Sequence, residues 1–440
     1  MQLSVATNFD DELIRRAKDY PVTEVFGKLP RDFVGGGRPS YMLSRLSSRR
    51  FQAHVGLART LGIDFNYLLN AACLDNLEFT RLGQRAINRI LEWLGESGVA
   101  SITVSVPYLL ELIKHRFPQF KVKVGVFARV ATVQQAKFWE ALGADCITLD
   151  PLTVNRDFKT LAAIRASVAC DLQLIANSDC LLFCPLAGYH MVGLSHASQR
   201  RHGAALPMDY CFLACTAAKL DDPVHYVRSN WIRPEDVARY EAIGYARLKI
   251  LERGAPTRVM VQRVRAYATR HYDGNLLDLI DYLAGRQSAE LARNAARGLL
   301  SCWRDVWTSP LASLRRWKAL RRLVSIRLQQ TDPTRPGVCV DNRKLDGFLE
   351  QFPTAATCGS RDCQQCAYCQ PWANRAVTID PDYQARYRKA EWPLREGLRD
   401  GTLWGLSARP QEWSGFGSDR HPPERANESR VRKRHDSEHT

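Results

Sequence analysis

Thirteen cysteines stand in this 440-residue chain, and eight of them fall in two short windows. The first window holds two C-x3-C pairs, Cys180 with Cys184 and Cys211 with Cys215. Thiolates bind soft and borderline metals, and four of them complete either a tetrahedral zinc site or a [4Fe–4S] cube. Structural zinc more often uses C-x2-C knuckles on tight turns. The three-residue gaps, with Pro185 directly after Cys184, therefore favour an iron–sulfur cluster over zinc. The plainer alternative is a set of buried apolar cysteines. The second window, Cys358-x4-Cys363-x2-Cys366-x2-Cys369, is denser. Its C-x4-C-x2-C start matches plant-type ferredoxin spacing, which allows a second [4Fe–4S] cluster, and a small zinc knuckle competes with that reading. Two complete sets of four imply two independent sites in separate structural units, the first catalytic, the second supplying folding energy or relaying electrons.

Groups able to move protons or bind anions surround the first window. His190 and His196 are candidate proton shuttles, since imidazole as a class titrates near neutral pH. Lys249 and Arg253 are catalytic candidates on or just past the last expected strand. Arg228 and Arg233 can hold carboxylates or phosphates of a substrate. Asn70, Asp150 and Asn177 follow expected strands and are candidate substrate contacts. Each of these residues has a plain alternative as a cap, a salt bridge or a loop-packing side chain.

The elements that must position these groups are legible as an alternation. Short β-rich runs at 2–6, 22–29, 64–69, 101–106, 121–127, 146–150, 171–176 and 245–252 are separated by helical patterns such as 76–94 and 132–142. Gly62 and Gly143 follow helical runs where a C-cap would feed the next strand. Eight β/α units in about 250 residues indicate a TIM-like (β/α)8 barrel, with an open doubly wound sheet as the alternative. Active sites of such barrels lie at the carboxyl ends of the strands, which places Cys180 at the mouth. Residues 177–244 then form an insertion between the seventh and eighth strands, far longer than an ordinary connection. The Gly-rich run at residues 33–41 lacks nucleotide-binding spacing and is either a close backbone approach to a ligand or a mobile loop.

The barrel is expected over residues 1–285, with a basic helical extension at 286–335. Within 290–330, Arg and Lys alternate with Trp303, Trp307 and Trp317, which suits RNA, an anionic lipid surface, or tryptophans packed on the barrel beneath solvated arginines. A Cys-rich metal-binding segment follows at 336–405. Residues 406–440 are Pro-, Gly-, Ser- and charge-rich without apolar periodicity, and are expected to be a disordered tail. The net charge of +16 favours anionic partners. The start of the chain carries charges where a signal peptide needs its apolar run, and no apolar stretch approaches the ~20 residues of a transmembrane helix. A cytoplasmic protein is expected, so the cysteines read as metal ligands and not as a disulfide framework.

Taken in order, Asn177, Cys180, Cys184, Ser195-His196, Cys211, Cys215, Arg233-Pro234-Glu235 and Lys249-Ile250 resemble the U32 peptidase-like family over roughly residues 1–285. The resemblance implies a TIM-like barrel with a cysteine-rich region and a closing strand built on Lys-Ile. Better understood branches of that family are similar to oxygen-independent hydroxylases that hold a [4Fe–4S] cluster on four cysteines. They act in ubiquinone biosynthesis or on tRNA and ribosomal RNA, with prephenate implicated as oxygen donor. The resemblance therefore implies that Cys180, Cys184, Cys211 and Cys215 are cluster ligands. The chain departs from those branches in its cysteine spacing, in its second cysteine set, and in a closing strand that reads Lys-Ile-Leu-Glu-Arg where Lys-Ile-Glu-Gly-Arg is common.

The leading expectation is an iron–sulfur redox enzyme hydroxylating a quinone precursor, an RNA base or a peptide side chain. The partner is then a small-molecule, RNA or peptide substrate, with a protein partner or homologous subunit also open. A U32-type peptidase is the alternative, although neither G-x-S-x-G nor H-E-x-x-H occurs. A zinc-stabilised RNA- or partner-binding protein is the third reading. Radical chemistry on S-adenosylmethionine is set aside, because no C-x3-C-x2-C follows the first strand.

Overall fold

The computed structural model describes residues 1–199, 209–287, 309–352 and 358–406, together with residues 289, 291, 293 and 307. Eight parallel strands close into a barrel in chain order. They are β1 Gln2–Ala6, β2 Val22–Gly27, β3 Asp64–Leu69, β4 Ser101–Val104, β5 Lys121–Val124, β6 Cys146–Thr148, β7 Asp171–Ile175 and β8 Arg247–Ile250. Closure is made by β8 against β1, with Ser4 opposite Lys249. The first seven begin at the residues the apolar runs indicate. Most end earlier, because the apolar run continues past the ladder into the mouth, where Val126 and Phe127 line a cavity.

Local chemistry sets the helix limits. Gly62 and Gly143 adopt φ of 73° and 96°, the left-handed C-terminal position that lets each helix turn into β3 or β6 without a Cβ clash. Thr80 and Thr132 cap the helices Arg81–Glu96 and Val133–Ala141 by accepting from Gly83 and Gln135 amides. The helical pattern at 76–94 divides because Asn76 is left-handed (φ 58°) and Thr80 starts a new helix. Inside the barrel, the Glu24 carboxylate accepts from Ser4 Oγ at 2.6 Å and Ser101 Oγ at 3.2 Å, and pairs with Lys123 at 2.5 Å. Burial alone would raise this carboxyl, but Lys123 and the Ser4 hydroxyl hold it below its ordinary value.

Between β7 and β8 the chain leaves the barrel for the helices Ala187–Ala197, Tyr210–Asp221, Val224–Arg228 and Val237–Glu241. After the helix Thr257–Thr269, the extension contributes Pro310–Arg327, packed against the later helix Pro381–Asp400. The strands β9 Val338–Val340 and β10 Val377–Ile379 pair antiparallel. The Cys-rich segment is not a separate structural unit. Val338, Val340, Leu345, Phe348 and Tyr383 belong to the same buried apolar cluster as the barrel core. Arg327 anchors the extension through a buried 2.8 Å ion pair with Asp281. The basic stretch divides accordingly: Arg316 and Arg327 are buried, Trp317 lines a cavity, and Trp307 is exposed. Trp303 and the tail from residue 407 lie outside the described residues. No described helix is long and apolar enough to cross a membrane.

Candidate active site

A cavity of about 400 Å³ opens at the carboxyl end of the barrel, and Cys180, Cys184, Cys211 and Cys215 all line it. Cys180 leaves the barrel just after β7. Cys184 packs against Leu152, Ala187 and Met191 at the start of the next helix. Cys211 and Cys215 stand one turn apart on Tyr210–Asp221, the spacing that puts two side chains on one helical face. Asp209 caps that helix by accepting from the Phe212 amide, and so fixes where the face points. Burial and the neighbouring Asp209 push the Cys211 thiol up to about 11, and burial pushes Cys215 up to about 12. Cys211 and Cys215 are therefore protonated when the site holds no cation, and a metal would displace their protons on binding.

The residues fit an iron–sulfur cluster by donor chemistry: four thiols line one cavity, their sulfurs too far apart to form a group within 4.8 Å, with buried Lys219 and half-buried Arg38 beside them. Lys219 continues the helical series 211, 215, 219 and is raised above its ordinary value, because the Asp179 carboxylate outweighs the cost of its burial. Its ammonium pairs with the Asp179 carboxylate at 2.9 Å, holding the residue next to Cys180. Arg38, from the Gly-rich loop, lines the same cavity and pairs with Glu252 at 2.7 Å. Neither Lys219 nor Arg38 was singled out by sequence; the i, i+4, i+8 spacing from Cys211 was the available signal for Lys219.

The Gly-rich loop is fastened, not mobile. Gly35 N donates to Asp32 and Gly36 N to Ser198 Oγ, each at 2.6 Å. A Cβ on Gly36 would stand 2.6 Å from Asn70 Oδ1, so glycine allows the backbone to close over the cavity edge. Glu252 occupies the place of glycine in the common closing sequence, and it adopts φ 101°. That left-handed backbone is costly for a side-chain-bearing residue. Ion pairs to Arg38 and to Arg286 at 3.1 Å hold it there, and together they lower its carboxyl to about 2 against the opposing effect of burial.

The structure brings together some of the expected site residues. Lys249 and Arg253 line the cavity, both buried. Burial lowers Lys249 to about 8, and its ammonium lies 4.2 Å over the Phe26 ring. Burial and Arg38 lower Arg253 to about 10, and its Nη1 meets no acceptor among the described residues. Asn70 Oδ1, buried on the cavity wall, likewise meets no donor there. His190 lies on the wall with its Nε2 2.8 Å from Asp209, and these two groups and Cys211 Sγ lie within 4.8 Å of one another.

Other expected contacts have structural work instead. Asp150, outside the cavity lining, caps Pro151–Val154 and accepts from Arg129. Asn177 lines the cavity but commits its amide to the Leu251 and Leu279 backbone, clamping the β8 exit. Arg233 is buried away from the cavity, bonding Asp236, Asp346 and the Asn342 carbonyl. His196 sits with Cys73 and Asp75 in a separate group outside the cavity lining. Arg228 lies by the second cysteine set, where its charge acts on Cys369. In that set Cys358 begins a short turn, Cys363 and Cys366 bound a single helical turn, and Cys369 opens the helix Cys369–Ala376. Cys363 and Cys366 are exposed, whereas Cys358 and Cys369 are half-buried.

Closed barrel, mouth cavity and the cysteines lining it define a (β/α)8-barrel protein with its candidate site at the strands' carboxyl ends. No protein-family model matches the chain. It is 31% identical over 356 residues to an uncharacterized protease of Methanocaldococcus jannaschii, covering 81% of this chain and 89% of that relative. Among solved structures, a U32 peptidase aligns over 57% of this chain and 91% of its own, at 20% identity and a TM-score of 0.44. An (S)-mandelate dehydrogenase aligns over 68% and 76%, at 12% identity and a TM-score of 0.32. The chain belongs to the U32 peptidase-like family.

Proposed function

We propose that the chain is a redox enzyme that binds a [4Fe–4S] cluster through Cys180, Cys184, Cys211 and Cys215 and hydroxylates an organic substrate without oxygen. The observation that carries this reading is that four thiols line one largely apolar cavity together with Lys219 and Arg38. When bound, the cluster supplies one-electron transfer. The chain's own residues do the rest. Lys249 and Arg253 bind and orient an anionic group of the substrate or of an oxygen donor such as prephenate. The fastened Gly-rich loop and the apolar walls exclude water. His190, oriented by Asp209, takes or gives a proton at its other ring nitrogen. The cavity volume suits a quinone precursor, an RNA base or a peptide side chain. Purification without oxygen tests the proposal. A brown protein that bleaches and loses activity together in air supports it, and a colourless protein that is active after prolonged aerobic handling overturns it.

A peptidase is the second reading, favoured by one observation: Cys211, His190 and Asp209 form a thiol–imidazole–carboxylate group. The relative named a protease suits it too. A thiol raised to about 11 is a poor nucleophile unless His190 takes its proton. Peptide hydrolysis by metal-free protein, blocked by alkylation of Cys211, would establish this reading and displace the first.

A further inference from the structure

Arg156 is a buried cation without a buried anion. It follows the short helix Pro151–Val154 at the barrel mouth and is only 4% exposed. Asn155 holds the turn rigidly, donating to the Ile175 carbonyl at 2.9 Å and the Asn230 carbonyl at 2.7 Å. The guanidinium lies 4.4 Å from the Trp231 ring centre and 5.0 Å from that of Phe348, so its flat sides are covered by rings. Its Nε and Nη2 meet no acceptor among the described residues. A buried charge with neither partner nor solvent is costly.

The groups able to offset that charge are Cys369, Tyr240, Cys358 and Asp236. Burial holds Tyr240 in its phenol form, and its hydroxyl donates to the Asn155 carbonyl. Asp236 is already paired with Arg233 at 2.8 Å. Cys369 and Cys358 remain. Arg228 adds a second cation, its charge acting on Cys369, while its own Nε finds no acceptor among the described residues.

We propose that Cys358, Cys363, Cys366 and Cys369 bind an anionic metal–thiolate centre whose charge Arg156 and Arg228 compensate from the barrel side. Four thiols give up their protons on binding. A divalent cation or a [4Fe–4S]2+ core on four thiolates is then a net dianion, which two guanidinium groups match. The centre is seated against the first site. Arg156, Leu182, Phe183, Cys358 and Gly359 share one small cavity, and a Cβ on Gly359 would lie 3.3 Å from the Phe183 ring. Phe183 is part of the loop between Cys180 and Cys184, so the second set backs the loop that carries half of the first. Arg156 is a positioning residue for this centre and touches no substrate cavity.

Elemental analysis and chelator competition on the full chain, purified without oxygen, test the proposal independently of the first site. The double variant Cys363→Ala/Cys366→Ala should lose one centre's share of metal. Loss of iron with sulfide identifies a cluster, and loss of zinc identifies a tetrathiolate site; either supports the proposal. Arg156→Met should weaken metal retention at this centre by about 10–100-fold, as expected for removal of an outer-shell partner, and Arg156→Lys should restore most of it. Arg228→Met is read in the same way should Arg156→Met fail to fold. Unchanged metal in the double variant overturns the centre. Unchanged retention in Arg156→Met, with only a lower melting temperature, overturns charge compensation in favour of packing on Trp231.

Discussion

The two cysteine sets hold their sulfurs by different means. The inner four come from the β7 exit and from one face of Tyr210–Asp221, and only the folded barrel brings them to one cavity. The outer four lie within twelve residues, on a turn, a single helical turn and the next helix start. An unfolded chain can still wrap the outer spacing around a metal, but it cannot assemble the inner one. Metal bound to the inner set therefore stabilises the fold by close to its full binding free energy. Binding to the unfolded outer segment cancels part of the equivalent gain there. The difference suits the proposed division of labour: a preorganised site faces the substrate cavity, and a local chelate at the edge backs it.

The sharpest break in that comparison comes from single inner cysteines. Cys180→Ala or Cys211→Ala should abolish activity and remove inner metal while outer metal stays, measured as metal per chain. If either variant strips both sets, the eight cysteines form one coupled assembly and the contrast fails.

Glu252→Gln tests the charge lock on the inner side. Buried Arg286 and half-buried Arg38 would both lose their anion, so urea unfolding should show a loss of about 3 kcal/mol. The same lock gives a pH signature. Its folded carboxyl, at about 2, lies below the ordinary 4.5, so its stabilising effect is complete above about pH 4.5 and is lost as pH falls toward 2. A variant whose acid unfolding matches the wild type would show that the lock contributes nothing.

In the proposed function, Lys249 sets the pH limit of anion binding. With its ammonium at about 8, affinity for a small carboxylate should fall as pH rises through that value, and Lys249→Met should cost about 1.5–3 kcal/mol below it. Calorimetric titration with prephenate across this range reads both effects; an affinity indifferent to pH and to the substitution would remove Lys249 from the site.

The outer set should give the smallest global effect. Cys363→Ala or Cys366→Ala should lower the melting temperature by a few degrees, speed proteolysis within residues 340–400, and leave inner metal in place. The shared aromatic packing of Trp231, Phe348 and Tyr368 retains the segment on the barrel even then.

The barrel was legible because strands buried on both faces read as near-continuous apolar runs, and because Gly62 and Gly143 mark helix ends. The cysteines were legible by type and spacing. Polar residues at strand ends were not, since a cap and a substrate contact look alike in sequence: Asp150 and Asn177 turn out to satisfy backbone, while Asn70 keeps an oxygen without a donor among the described residues. Arg38 and Arg156 acquire meaning only from neighbours distant in sequence. Glu252 was noticed as a departure from glycine, but its positive φ and paired arginines appear only in the fold. The expectation of separate units failed because Phe348 and its neighbours were not recognised as the continuation of the barrel core.

Iron and inorganic sulfide counted in the Cys363→Ala/Cys366→Ala chain, purified without oxygen, with the electron paramagnetic resonance spectrum after dithionite, address the inner set alone. The account predicts about four iron and four sulfide per chain and a reduced-cluster signal that disappears when Cys211→Ala is added. Zinc in their place, or a chain free of iron that still turns over substrate, would contradict it.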